Sequence, residues 1–186
     1  MWSTVNDTSS LGWRGDIGNP AGSFAAVDQA AGDIWFFEAP SKFLGDQSAA
    51  AGETLSWDLL ALIGNQGIAN NGLADLMLTS GSTAIGLTLG VTPTSSAWTT
   101  WSATLGEAVG QDWRTVTSLA SGSLGASVDA AVIDSVLSDL DGLFIRGEFT
   151  NGSDSVAIDN VVLVPTPASA AVASIVGVLV LRRRRA

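Results

Sequence analysis

The sequence predicts an all-β fold, a β-sandwich with one short helix, followed by a single C-terminal hydrophobic helix. Short apolar runs over residues 1–164 are separated by clusters of Gly, Asn, Asp, Ser and Pro, a pattern typical of strands and turns. One segment has helical instead of strand periodicity. Residues 165–186 then change to an apolar stretch that ends in four arginines.

The predicted strands are short segments rich in apolar and β-branched residues. They cover residues 23–27, 34–38, 54–60, 74–79, 83–89, 98–105, 113–115, 143–149 and 155–164. Leu55, Trp57 and Leu59 alternate with polar residues, which places these three side chains on one face of a strand. Asn151-Gly152 tolerates positive φ, so we expect a hairpin there that makes the last two strands antiparallel neighbours.

One helix is predicted to interrupt the strands. Apolar residues recur at helical spacing from Val128 to Leu140. Ser127 is a suitable N-cap, and Asp141-Gly142 ends the pattern. We expect the apolar stripe of this helix to pack against a sheet.

A single basic residue, Arg146, lies inside one of the apolar predicted strands. It stands two residues before Glu148, and residues two apart on a strand share a face. The sequence therefore predicts a structural ion pair between the two side chains.

Composition excludes several classes of function. The chain of 186 residues contains no Cys and no His, which excludes thiol nucleophiles, Ser-His-Asp triads and zinc-finger sites. Outside the terminal arginines, four basic and 18 acidic side chains leave the body with a net charge of −14. Such a body repels phosphate backbones, so we expect no nucleic-acid partner.

The C-terminal region 165–186 is predicted to be a separate unit from the body, 1–164. Residues 168–181 carry no charge and would form a helix of about 21 Å, shorter than a hydrocarbon core of about 30 Å. Four arginines resist translocation, so we expect the body to face outward and the helix to meet the membrane. Residues 1–3 do not begin a secretion signal, so we expect the natural start upstream.

The C-terminal pattern resembles a bacterial PEP-CTERM sorting signal. Its three parts are Pro165-Thr166-Pro167, the apolar helix, and the run Arg182, Arg183, Arg184 and Arg185. Thr166 stands where the motif that names the family has Glu. The resemblance implies anchoring in the membrane, processing by an exosortase-type peptidase, and release or attachment at the cell surface. We therefore expect an exported protein of the cell envelope or extracellular space.

Six segments of the body together resemble the laminin B domain, also called laminin IV type A. They are GDIGNP (15–20), WFFEAPSKFLGDQS (35–48), GETLSWDL (52–59), WTTW (98–101), LFIRGEF (143–149) and IDNV (158–161). The resemblance implies a β-sandwich of jelly-roll type, found in extracellular matrix and surface proteins. It implies no catalytic residues.

Tryptophan is the main candidate for ligand contact, because an indole face stacks on sugar rings. Of the seven Trp, we expect Trp35 and Trp57 in the core. Exposure is expected at Trp2, Trp13, Trp98 and Trp113. The alternative is that most of the Trp are packing residues. The predicted ligand-binding residues are Trp13, Trp98, Trp101 and Trp113.

A structural calcium ion is a second hypothesis, and no other cofactor is expected. Carboxylate oxygens suit Ca²⁺, and the candidate ligands are Asp28 and Asp159, the second of which lies on the last predicted strand. No Asp-x-Asp-x-Asp-Gly ladder is present. Solvated or turn-capping roles are therefore the alternative for both residues.

These observations favour a non-enzymatic secreted or cell-surface protein that is adhesive or binds polysaccharide. The expected partners are extracellular polysaccharide or surface proteins, the membrane, and an exosortase-type peptidase. A carbohydrate-active or calcium-dependent enzyme module is one alternative, with Glu38 and Glu148 as an acid–base pair. A purely structural matrix component is another.

Overall fold

The computed structural model describes residues 1–6, 11–28, 32–63, 72–150 and 152–163. These residues form two antiparallel β-sheets, one α-helix and two 3₁₀ turns, which confirms the predicted all-β sandwich with one short helix. The strands are β1 (Ser3–Val5), β2 (Gly12–Gly18), β3 (Ala21–Val27), β4 (Phe36–Glu38), β5 (Thr54–Ile63), β6 (Leu76–Ser80), β7 (Thr83–Leu87), β8 (Thr99–Thr104), β9 (Arg114–Ser118), β10 (Ser123–Ser127), β11 (Gly142–Arg146) and β12 (Ser155–Leu163).

The strands divide into a seven-stranded and a five-stranded sheet. The first has the order β1-β4-β11-β6-β7-β9-β10, and the second has the order β2-β3-β12-β5-β8. Residues around β1 and β2 line a common cleft, so these two edge strands lie on the same side of the sandwich. The candidate functional site lies on this side of the sandwich.

The core fills the space between the two sheets. Leu55, Trp57 and Leu59 are fully buried, which confirms the face predicted from their alternation. The Trp57 ring stacks on Trp101, with centroids 6.2 Å apart and planes at 25°. Trp35 is also fully buried, as expected. Each such side chain contributes on the order of 2 kcal/mol to folding by leaving water.

The single helix among the described residues, α1, runs over Ala130–Ser138 and begins later than the sequence predicts. Its N-cap is Asp129, whose carboxylate accepts a hydrogen bond from Val132 N at 3.1 Å. The predicted N-cap, Ser127, is wrong because that residue still pairs with Arg114 in the β9–β10 ladder. The apolar stripe does pack into the core.

The predicted hairpin between the last two strands is wrong. β11 pairs with β4 and β6 in one sheet, whereas β12 pairs with β3 and β5 in the other. The chain between them crosses the sandwich, and the Phe149 side chain is buried against Trp101 with ring centroids 5.4 Å apart. Burying this ring in the core favours a crossing over a tight turn within one sheet.

Three strands are absent from the sequence prediction: β1, β2 and β10. Their residues are mainly Gly, Ser, Thr and Ala, and most are exposed or half-buried. They lack the apolar alternation on which strand prediction depends. Each one lies at or next to an edge of a sheet, where pairing rather than burial holds it.

No helix within the described residues has the length and hydropathy of a membrane span. The predicted C-terminal helix lies outside the described residues. The same holds for the predicted processing residues Pro165, Thr166 and Pro167 and for the arginine run.

Gly147 offers a test of how tightly the two sheets are joined. A Cβ at this position would lie 2.0 Å from a ring atom of Trp35, which is fully buried and cannot yield. We expect Gly147→Ala to lower the free energy of unfolding by about 1–3 kcal/mol through overpacking. Gly12→Ala is the control, because its Cβ would meet nothing within 4 Å. Equal urea midpoints for both variants would contradict this packing.

Candidate functional site

An open cleft lies between the edges of the two sheets, where β1 faces β2. One part, of about 500 Å³, is lined by Met1, Trp2, Ser3, Thr4, Leu11, Trp13 and Phe24. A second part, of about 320 Å³, shares Trp2, Trp13 and Phe24 and continues to Lys42, Asp159 and Asn160. We call the two parts together the edge cleft.

Trp13 forms one wall of the edge cleft and is 63% exposed, which confirms its expected exposure. It pairs in register with Phe24 on β3, and the two rings meet edge to face with centroids 5.3 Å apart. The indole also covers Gly22, where a Cβ would lie 2.7 Å from the ring. The missing side chain at Gly22 therefore lets the indole rest on the β3 backbone with its other face open.

Trp2 stands on the opposite wall of the edge cleft. Its side chain is half-buried, and its ring lies 5.8 Å from Phe43, measured between centroids. Phe43 belongs to the 3₁₀ turn Ser41–Phe43 and is buried in the core. The cleft thus has an indole on each side, one carried by each sheet. Trp2 was expected to be exposed but was not predicted as a ligand contact.

A polar network closes one end of the edge cleft. Asp159 Oδ2 accepts a hydrogen bond from Asn19 N at 2.6 Å, and Oδ1 accepts one from Asn160 N at 2.8 Å. The Asn160 side-chain amide donates to Asp58 Oδ2 at 2.8 Å and to the Asn19 carbonyl. Three of the sequence segments singled out above, 15–20, 52–59 and 158–161, therefore meet here.

The other predicted sugar-binding tryptophans do not join Trp13. Trp98 is half-buried and precedes β8, at the far edge of the five-stranded sheet. Trp101 and Trp113 are each only 2% exposed. The Trp113 indole donates to the Thr104 carbonyl at 3.1 Å. The expected exposure of Trp113 is therefore wrong, because its ring closes the core instead of facing solvent.

The two candidate calcium ligands lie apart, with Asp28 next to the start of β12 and Asp159 near the middle of that strand. Asp28 N donates to the Asp154 carbonyl at 2.9 Å, next to the start of β12. Asp159 follows five residues further along, a separation of about 16 Å in an extended strand. The described residues contain no group of three or more acidic side chains arranged to hold a metal ion. Calcium binding stays a prediction, and the structure does not bring these two ligands together.

Arg146 is held by a different partner from the predicted one. Its Nη1 lies 3.3 Å from Asp75 Oδ1, and both side chains are 3% exposed. Glu148 contributes its backbone carbonyl, which accepts a hydrogen bond from Arg146 Nε, and not its carboxylate. The predicted Arg146–Glu148 ion pair is wrong, because the neighbouring strand β6 brings a closer carboxylate from far along the chain.

Glu148 and Asp154 form an acidic cluster with Asp28 where the chain crosses between the sheets. Trp35 donates to both, from its backbone N to Glu148 Oε2 at 3.4 Å and from Nε1 to Asp154 Oδ1 at 3.2 Å. Burial raises the pKa of Glu148 to about 7, and the charges of Asp28 and Asp154 add to the rise. Burial likewise raises the pKa of Asp154 to about 6, against hydrogen bonds that lower it.

Two packed antiparallel sheets with an open edge cleft define the class of the protein, an all-β sandwich module. The L4b domain of human laminin alpha-2 shares this fold with a TM-score of 0.62 and 12% identity, over 87% of this chain and 94% of that chain. A solved exo-beta-agarase matches with a TM-score of 0.57 and 13% identity, over 89% of this chain and 24% of that chain. Both likenesses show the fold alone.

The family follows from the sequence match. The model of the family Laminin B (Domain IV) matches residues 36–176. The chain therefore belongs to the laminin B family, a non-enzymatic extracellular module of structural or adhesion type. No curated protein sequence matches the chain.

Sequence reasoning missed Phe24, Lys42 and Asn160 as lining residues of the cleft. Phe24 carries an available signal, since it lies in a predicted strand and has an aromatic side chain. Lys42 and Asn160 lie in segments 35–48 and 158–161, which carry the resemblance, but no local pattern places them together. Only the packing of the 3₁₀ turn and the positive φ at Asn160 bring them to the same edge.

The acidic cluster predicts how stability depends on pH. The pKa values of Glu148 and Asp154 in the folded chain exceed the ordinary values of 4.5 and 3.8. At a pH between the ordinary and the folded values, the folded chain therefore binds more protons than the unfolded chain. The contribution of these two carboxyl groups to the free energy of unfolding is then fully present below about pH 4 and is lost as the pH rises through 6 and 7. Urea unfolding from pH 4.5 to 8 should show a loss on the order of 1–3 kcal/mol.

Variants separate this cluster from other acidic groups. Glu148→Gln keeps an acceptor for Trp35 N and removes the charge, so the pH dependence should become shallower. Asp134→Asn changes an exposed helix residue and should keep the original slope. A free energy of unfolding that stays constant or rises across this range would contradict the assignment.

Proposed function

We propose that the protein is an exported matrix or cell-surface module that binds polysaccharide through the edge cleft. Membership of the laminin B family supports the extracellular class. The observation that carries the binding is Trp13, an indole 63% exposed and supported from behind by Phe24 and Gly22. Such a ring offers a flat, rigid apolar face for a sugar ring.

The arrangement around Trp13 has the anatomy of a binding cleft. Two indoles from different sheets face one open space, and a fixed polar network lies at its end. Ligand sites commonly combine aromatic walls with a few oriented polar groups. A single exposed apolar side chain is ordinary on a protein surface. A supported aromatic ring that faces a second ring across a cleft instead indicates a binding site.

The enzyme alternative has little support from the geometry. Glu38 lies on β4, the strand next to the edge strand β1 of the seven-stranded sheet, and accepts a hydrogen bond from Ser3 Oγ at 2.7 Å. Glu148 is buried next to Trp35. Trp35 lies three residues before Glu38, which corresponds to about 10 Å along an extended chain. The two carboxylates do not flank a common open space, as glycoside hydrolysis requires.

Replacing Trp13 tests the binding proposal. On a panel of soluble polysaccharides measured by calorimetry or affinity electrophoresis, Trp13→Ala should weaken binding about 10-fold or more, as for an aromatic hot spot. Trp98→Ala is the matched control, since it removes a half-buried indole at the opposite edge of the same sheet. It should leave binding unchanged.

The opposite pattern, with loss in Trp98→Ala and none in Trp13→Ala, would move the site away from the edge cleft. Absence of saturable binding to any polysaccharide, together with self-association of the purified chain, would instead favour a purely structural matrix component.

We also propose that residues 165–186 sort the protein to the cell surface. The support is the order of the sequence: a Pro-Thr-Pro motif, an uncharged apolar stretch, and four arginines that resist translocation. The match to the laminin B family covers most of the body that precedes them, from residue 36, and continues to residue 176. This pairing of an outward-facing module with a membrane-directed tail is consistent with export followed by processing.

Mass spectrometry of the protein recovered from its host tests the sorting proposal. The intact mass should lack everything after about Pro167, including Arg182 to Arg185. A double variant, Pro165→Ala with Pro167→Ala, should keep the full tail because the peptidase motif is lost. A soluble, uncut cytosolic protein would contradict the proposal.

A further inference from the structure

The basic side chains of the body differ in whether they form ion pairs. Within the described residues, each arginine is paired with a carboxylate: Arg14 with Asp16 at 2.7 Å, Arg114 with Asp112 at 3.7 Å, and Arg146 with Asp75 at 3.3 Å. Lys42 makes no ion pair with any residue in this part of the chain. It is the one basic side chain there that has no ion-pair partner.

Lys42 is nevertheless held in a defined place. It sits in the 3₁₀ turn Ser41–Phe43, and its Nζ lies 4.8 Å from the centroid of the Phe43 ring. Phe43 is 6% exposed and packs against Trp2, so the turn is anchored in the core. The cation–π contact and this anchor direct an exposed ammonium group to the lining of the edge cleft.

An unpaired cation at this point is unexpected for so acidic a protein. The body has a net charge of −14, and a carboxylate, Asp159, lines the same cleft. Both Asp159 oxygens already accept hydrogen bonds from backbone N–H groups, those of Asn19 and Asn160. No ion pair joins Lys42 to Asp159 or to any other described carboxylate, so the Lys42 charge is available to a ligand. A negatively charged group on that ligand would supply the ion-pair partner that Lys42 lacks.

We propose that the edge cleft selects an acidic polysaccharide, with its sugar rings against the indoles of Trp13 and Trp2 and its anionic groups paired with Lys42. This inference rests on the proposed function and names the ligand class of the same site. Repulsion from the rest of the acidic body is screened beyond about 8 Å at physiological ionic strength. Carboxylates further away than this distance therefore weaken an ion pair at Lys42 only slightly.

The ligand's charge can come from a carboxylate or a sulfate, and matched probes distinguish the two. One pair is polygalacturonate and its methyl ester, which differ only in the charge of the carboxyl groups. The other pair is a sulfated galactan and the same galactan after desulfation. We expect at least one charged member to bind about 10-fold more tightly than its uncharged counterpart.

Substitutions at Lys42 test which side chain reads the charge. Lys42→Met keeps an apolar stem over Phe43 and should reduce binding of the charged probe to the level of the uncharged one. Lys42→Arg should restore most of the difference. Arg114→Met is the control, because it removes a partly exposed basic side chain that lies outside the edge cleft.

The outcomes separate this inference from the proposed function. One outcome is equal binding of the charged and uncharged probes, with binding abolished by Trp13→Ala and unchanged in Lys42→Met. That result overturns the ligand class but keeps the edge cleft as the binding site. An equal loss in Lys42→Met and Arg114→Met overturns the role of Lys42, since it shows a general charge effect. No binding of any of the four probes by the wild-type chain overturns the ligand class, and the wider polysaccharide panel of the Trp13 experiment then decides the proposed function.

Discussion

The rest of the structure depends on how the Trp35 indole fastens the two sheets together. Its ring packs so closely on Gly147 that a Cβ there would lie 2.0 Å away, and its Nε1 donates to Asp154 at 3.2 Å. Gly147 follows β11 in one sheet, and Asp154 precedes β12 in the other. This contact sets where the chain crosses the sandwich, and hence where β12 enters the five-stranded sheet.

The position of β12 then decides the composition of the edge cleft. Because Ile158 pairs with Phe24, which pairs with Trp13, the three residues stand in line across the sheet. The residues that follow, Asp159 and Asn160, form hydrogen bonds with the backbone of Asn19 and hold the turn there in place. The seven-stranded sheet supplies the opposite wall through Trp2, so the cleft exists only where both sheets are assembled.

Charge is distributed in two different ways in this acidic protein. The carboxyl groups of Glu148 and Asp154 are buried where the chain crosses, and burial raises the pKa of each. Arg146 and Asp75 are buried as a pair, which is the ordinary condition for keeping charges inside a protein. Lys42 is the exception among the basic residues described, because it is exposed in the cleft and forms no ion pair.

By itself the sequence determined the fold class, most strand positions, the helix and the core face of Leu55, Trp57 and Leu59, because these follow from local periodicity. It also indicated that Trp13 is exposed. Only the tertiary structure decided the sheet to which β12 belongs, the burial of Trp113, the pairing of Arg146 with Asp75 and the placement of Lys42 beside two indoles. These features join residues that are distant along the chain, and periodicity carries no information about which distant segments pack together.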